Sequence, residues 1–184
     1  FFPKNKIFFH STSDNETKNI KNLYNSRIFQ ISNLAGSFND FRPQWKKKNM
    51  PLRIIFISRI RDNKNLLFCL KVFLKTPTIK IIFNIYGPIE DKKYWDVCEK
   101  IIDKLPSNIC VQYRGIVLPS DVEKKMSNYH ILFLPTKTEN FGHVIVEAMQ
   151  VGLIPIISNQ TPWKRLQDFN AGWAIDLKRE NKFL

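Results

Sequence analysis

From Leu52 onward, short continuous apolar runs alternate with stretches whose apolar residues recur at helical spacing. Leu52 to Ser58, Lys80 to Tyr86, Ile109 to Tyr113, Ile131 to Leu134 and Ile154 to Ser158 carry almost no polar alternation. Such runs predict strands covered on both faces. Between them, Lys64 to Lys75 predicts a helix with Leu66, Leu67, Leu70 and Phe73 turned to a core, and Lys92 to Leu105 and Asp121 to Asn128 predict two more. A helix follows Gly142 and stops at Gly152, a short helical piece falls near Pro162 to Phe169, and Ala174 to Leu177 closes the series. Strands alternating with helices predict an α/β fold, a doubly wound, Rossmann-like parallel sheet. In such a sheet ligands sit beyond the carboxyl ends of the strands, so the chemistry is sought in the loops after Ser58, Tyr86, Tyr113, Leu134 and Ser158.

The first fifty residues follow a different pattern. Ile7 to His10 reads as a short strand. Ser13 followed by Glu16 is a capping-box signature, opening a helix that would carry Ile20, Leu23 and Tyr24 on one face. Arg27 to Ser32 alternates like a strand, and Asn33 to Pro51, with Gly36, Pro43 and three consecutive lysines, reads as a linker.

Composition narrows the partners. The chain has 184 residues, enough for one good core and a short appendage. Its 29 Lys and Arg against 16 Asp and Glu leave a formal charge of +13, which predicts attraction to polyanions, phosphorylated ligands or an anionic membrane face, although any single lysine is as readily a solvated surface group. The three cysteines have no CxxC spacing and the three histidines no HxxxH pair, which argues against a disulfide framework or a zinc site and for a reducing cytoplasm. No apolar run approaches the roughly 18 residues of a membrane span.

The strand-end loops hold the polar groups. After the first long strand, Arg59, Arg61 and Lys64 lead into a helix; cations oppose the macrodipole there, so a bound phosphate is favoured over a plain basic helix start. Tyr86-Gly87-Pro88 supplies a tight turn. Arg114-Gly115-Ile116-Val117 combines a glycine with apolar walls, which suits either a flat base or a loop packed on the core. Neither GxxxxGK[ST] nor GxGxxG occurs, so Walker-type hydrolysis and a standard dinucleotide fingerprint lose support.

The stretch Leu134 to Ser158 unites these features. Glu139 and Glu147 lie eight positions apart, about 80° out of phase if both were helical, so they can converge only with Glu139 in the loop. The polar run Pro135 to Asn140 favours that placement. One acid then stands at a helix mouth and one about a turn inside, with the backbone N–H groups of Asn140, Phe141 and Gly142 between them, a geometry suited to an anion flanked by hydroxyls. Taken singly these acids are better explained by surface exposure and the helix dipole. Beside a basic loop they match what a nucleotide-sugar ligand needs.

Ser58-Arg59-Ile60 with Lys64-Asn65, Tyr86-Gly87-Pro88, Arg114-Gly115-Ile116-Val117 and TENFGHVIVEAMQVGLIPIIS together resemble the donor-binding half of the retaining GT-B glycosyltransferases of the GT4 type, the glycosyl transferases group 1. The likeness runs from about Leu52 to Leu177, includes the E-x7-E motif from Glu139 to Glu147, and extends to TPWKRL and Ala171-Gly172-Trp173, which resemble one subset of that family. It implies the C-terminal half of a GT-B fold over residues 49–184, with residues 1–48 as the last strand-helix-strand of an N-terminal acceptor domain plus linker. It implies that Arg59 and Lys64 hold the donor diphosphate and stabilise the leaving group, and that Glu139 contacts the transferred sugar. Asn140, Phe141 and Gly142 would present N–H groups, Glu147 would bind the ribose, and Gly87 with the Gly115, Ile116 and Val117 loop would hold the base. Ser58 stands where the family usually has glycine, which narrows the diphosphate approach.

The resemblance further implies a UDP- or GDP-sugar as donor substrate, no metal and no separate cofactor. The acceptor would be a saccharide or lipid-linked molecule, reached through the N-terminal domain at the cytoplasmic face of an anionic membrane, with no nucleic acid as partner. The expectation for these 184 residues alone is donor binding without turnover. Two other readings compete: a basic nucleic-acid-binding module, suggested by the charge and by Trp45 beside Lys46 to Lys48, and a non-enzymatic nucleotide-binding domain that kept the fold.

Overall fold

The computed structural model describes residues 8–24, 26–31, 50–76 and 78–183. Two sheets form. The first pairs β1 (Phe8–Ser11) in parallel with β2 (Arg27–Gln30), joined by α1 (Asp14–Leu23). Ser13 caps α1 by accepting from the Glu16 N–H at 3.3 Å. The return half of the expected capping box is displaced by one residue: the Glu16 carboxylate accepts from the Thr12 N–H at 2.7 Å and the Thr12 hydroxyl at 2.8 Å. The expected apolar face of α1 is only partly covered by described residues: the Tyr24 ring meets Phe9 at 4.9 Å and Ile20 is half-buried, but Leu23 is exposed. Ile7, Ser32 and nearly all of the expected linker lie outside the described residues.

The second sheet has six parallel strands, β3 (Leu52–Ile57), β4 (Ile81–Tyr86), β5 (Ile109–Tyr113), β6 (Ile131–Leu134), β7 (Ile154–Ser158) and β8 (Trp173–Ile175), in the order β5-β4-β3-β6-β7-β8. This is the doubly wound order. The chain starts in the middle, runs out to β5, then returns past β3 to β6, so a topological switch point lies between β3 and β6. The crossover helices are α2 (Leu66–Leu74), α3 (Lys92–Ile102), α4 (Val122–Met126) and α5 (His143–Gln150). Right-handed crossovers place α2 and α3 on one face and α4 and α5 on the other. Both faces are therefore covered, and Ile55, Phe56, Phe83, Ile85, Leu132, Leu134 and Ile157 are fully buried. Burying one such side chain contributes about 1.5–3 kcal/mol, which is why these strands are apolar on both sides.

One boundary differs from the sequence reading in a way that shapes the site. The helix expected from Lys64 begins only at Leu66. Residues Asp62–Lys64 form a 3-10 turn, and Asn65 adopts a left-handed conformation with φ 59° between the two segments. Asparagine tolerates that region better than most residues. Its side chain secures the break by donating to the Pro135 carbonyl at 2.9 Å, at the end of β6.

Candidate functional site

The switch point brings together the loops after β3 and β6. Lys64, released from the helix by the Asn65 turn, points Nζ at the Glu139 carboxylate, 2.6 Å away. Both side chains are largely buried, with 10% and 15% exposure. Glu139 lies in the loop, as its sequence context predicts, and α5 starts only at His143. Around this pair the two loops are laced together. The Lys137 N–H donates to the Asn63 carbonyl at 2.9 Å, the buried Thr136 hydroxyl donates to the same carbonyl at 3.1 Å, and the Lys137 ammonium pairs with Asp62 at 2.6 Å.

A third loop, after β7, backs the second. The Glu139 N–H donates to the Gln160 carbonyl at 3.2 Å, and the Trp163 indole N–H donates to the Phe141 carbonyl at 2.6 Å. A cleft of ≈ 410 Å³ opens here, lined by Glu139, Asn140, Phe141, Gln160 and Trp163 and by Ser13 of the α1 cap. Its lining of two carboxylates, an ammonium, amides and two aromatic rings provides hydrogen-bonding groups beside flat apolar surfaces.

Arg59 is not part of that pair. It and Arg61 reach the carboxylate of Glu90, at 3.5 and 3.4 Å, on the exposed rim after β4. Extended pairing persists beyond the named strands through the Ile60 and Ile89 bridge, which sets Arg59 and Arg61 on one side of the chain. Gly87 and the Gly115 loop do meet: the Gly87 N–H donates to the Gly115 carbonyl at 2.9 Å, and the Tyr113 hydroxyl donates to the Gly87 carbonyl at 2.9 Å. Gly87 has φ 132°, and a Cβ there would lie 1.9 Å from the Ser58 carbonyl oxygen, so this position requires glycine for close backbone approach. Ile116 is exposed, and Val117 packs partly against the core.

Glu147 lies in the second turn of α5 and is half-buried. Burial pushes its carboxyl above the usual value of 4.5; the His143 charge partly offsets this, and Glu123 of α4 adds to it. Sequence reasoning does not single out Trp163 or Asn65 as site residues. The first belongs only to a family-like motif, and the second only follows Lys64.

A parallel sheet in this order, with polar loops converging at its switch point, defines a Rossmann-like domain. The sequence model of the family Glycosyl transferases group 1 matches residues 37–181, and the chain belongs to that family. A curated relative, an uncharacterized 41.2 kDa protein in the cps region of Klebsiella pneumoniae, is 26% identical over 133 residues, covering 71% of this chain and 34% of its own length. Among solved structures, Anabaena HepE in complex with UDP-glucose superposes with a TM-score of 0.75 at 14% identity, over 95% of this chain and 51% of HepE. A point mutant of S. aureus TarM in complex with fondaparinux, α-GlcNAc-glycerol and UDP gives 0.70 at 18% identity, over 94% and 34%. These likenesses place the fold with the C-terminal Rossmann-like domains of GT-B glycosyltransferases. The chain spans about a third of the length of the curated relative and between a third and a half of these two structures.

Proposed function

We propose that this chain is the donor-binding part of a retaining GT-B glycosyltransferase of the GT4 type, which moves a sugar from a nucleotide diphosphate onto a saccharide or lipid-linked acceptor. Residues 49–184 are the donor domain in this reading, and residues 1–48 are the last part of the acceptor domain plus the linker. The observation that carries this reading is the contact between Lys64 and Glu139 at the switch point, 2.6 Å apart, with Glu147 of the same E-x7-E motif in the second turn of α5. Family membership supports an enzyme over a nucleic-acid-binding module. The UDP-glucose in HepE supports a nucleotide-sugar donor, and the cps-region relative supports a role in polysaccharide assembly.

Cleaving a glycosyl phosphate bond builds oxocarbenium-like charge on the sugar and negative charge on the departing diphosphate. Lys64, Arg59 and the N–H groups at Asn140, Phe141 and Gly142 face that second charge as fixed positive groups, and no metal is invoked. Glu139 orients the sugar hydroxyls, Glu147 accepts from the ribose, and the Gly87 and Gly115 to Val117 backbone holds a UDP- or GDP-type base. No side chain is assigned as nucleophile; the leaving phosphate assists the acceptor on the same face. The lysine-rich surface suits the cytoplasmic face of an anionic membrane. A thermal-shift panel of UDP-, GDP- and ADP-linked sugars tests the reading. One base class stabilises the chain, and Glu147→Ala abolishes the shift. Equal shifts in both proteins would remove the ribose role.

A further inference from the structure

We infer that Trp163 is a positioning residue for the donor loop, locking the Phe141–Gly142 peptide in one orientation through its indole N–H. This rests on the donor-site reading above and assigns a part to a residue that touches neither phosphate nor sugar in it. The end of β7 and the loop after it tie the loop after β6 at three points: Ser158 Oγ donates to the Thr136 carbonyl, the Glu139 N–H donates to the Gln160 carbonyl, and Trp163 Nε1 donates to the Phe141 carbonyl. Only the third holds a peptide that leads into a glycine of positive φ. In a planar trans peptide the C=O and the following N–H point in opposite directions. Holding the Phe141 oxygen against the indole therefore aims the Gly142 N–H away from Trp163. Among the described residues that N–H donates to no protein group.

Gly142 sits at φ 79°, ψ 61°, and glycine accepts either sign of φ at little cost. A flip of the Phe141–Gly142 peptide is consequently cheap in the backbone itself, and it would reverse the N–H that the donor meets. The indole bond opposes the flip. Trp163 is itself fixed by two contacts. Its backbone N–H donates to the Thr161 hydroxyl at 3.2 Å, and its ring meets the Phe141 ring edge-on at 5.6 Å. The glycine allows the required conformation, and the tryptophan selects it.

The test compares wild type, Trp163→Phe and a variant with 3-benzothienylalanine at 163, which keeps the bicyclic shape and replaces N–H by sulfur. Trp173→Phe, at the far edge strand, is the control. In ligand-free protein the Gly142 amide resonance should broaden or split in both 163 variants and remain single in the control. Affinity for whichever of UDP-, GDP- or ADP-glucose binds wild type should fall about tenfold, the ratio that one lost hydrogen bond carries, while the free nucleoside is unaffected. A single, unshifted Gly142 resonance in both variants overturns the inference, as does unchanged nucleotide-sugar affinity. If wild type binds none of the three sugars, the donor-site reading falls, and the Gly142 resonance still decides whether Trp163 locks the peptide.

Discussion

Replacing Lys64 by methionine removes one charge from a largely buried pair and leaves the stem's apolar packing in place. At 2.6 Å the attraction between the two charges is about 6 kcal/mol at an effective dielectric near 20. Most of that is offset by the cost of taking both ions out of water, so the pair as a whole contributes little. The single variant behaves differently, because the Glu139 carboxylate stays at 15% exposure with its cation gone. Stranding one partner of a buried pair costs about 3–5 kcal/mol; the open cleft beside Glu139 puts Lys64→Met at the lower end, about 3 kcal/mol. For a chain of this length that corresponds to a fall in Tm of about 6–12 °C. Glu139→Gln in the Lys64→Met background removes the stranded charge and recovers most of the loss. A double-mutant cycle by urea unfolding should thus give a coupling energy of about 2 kcal/mol or more. A Lys64→Met cost below about 0.5 kcal/mol, the range of an exposed surface pair, or additive effects in the double variant would refute the reasoning.

Glu147 and Gly87 supply two further predictions. The Glu147 carboxyl is held above its usual 4.5, so the folded state penalises the charged form: the penalty is absent below pH 4.5 and fully present once pH exceeds the raised folded value. Glu147→Gln should accordingly raise Tm at pH 7, with a gain that vanishes toward pH 4, while nucleotide-sugar binding is lost; a Tm difference independent of pH would contradict this. Gly87→Ala forces a Cβ to 1.9 Å from the Ser58 carbonyl at φ 132°, and should cost more than about 3 kcal/mol in urea unfolding. A cost under about 1 kcal/mol would mean that the β3 and β4 ends separate easily.

The sheet is legible in the sequence because burial on both faces leaves a plain mark, the continuous apolar run, and five of the expected strands match to within a residue at each end. Lys64 and Glu139 are each legible as strand-end loop residues. Their contact spans 75 positions and follows only from the strand order that makes β3 and β6 neighbours. Apolar spacing places the helix start at Lys64 because it does not register a left-handed Asn65, whose conformation is secured by a carbonyl 70 positions away. Arg59 is expected beside Lys64; extended pairing past β3 turns it to Glu90 instead. The exposed Leu23 shows the limit of periodicity, which marks an apolar face without saying what covers it. Trp163 is hidden for a similar reason: its indole bond to Phe141 crosses 22 positions and two loops.

The location of the donor is the central claim, and backbone amide mapping tests it most directly. With the tightest-binding nucleotide sugar at saturation, the largest shifts should fall at Lys64, Gly87, Gly115 to Val117 and Asn140 to Glu147, in the segments that follow the carboxyl ends of four adjacent strands, β5, β4, β3 and β6. Shifts confined to the lysine-bearing helices α1 and α3, or absent from the Glu139 to Glu147 segment, would contradict it.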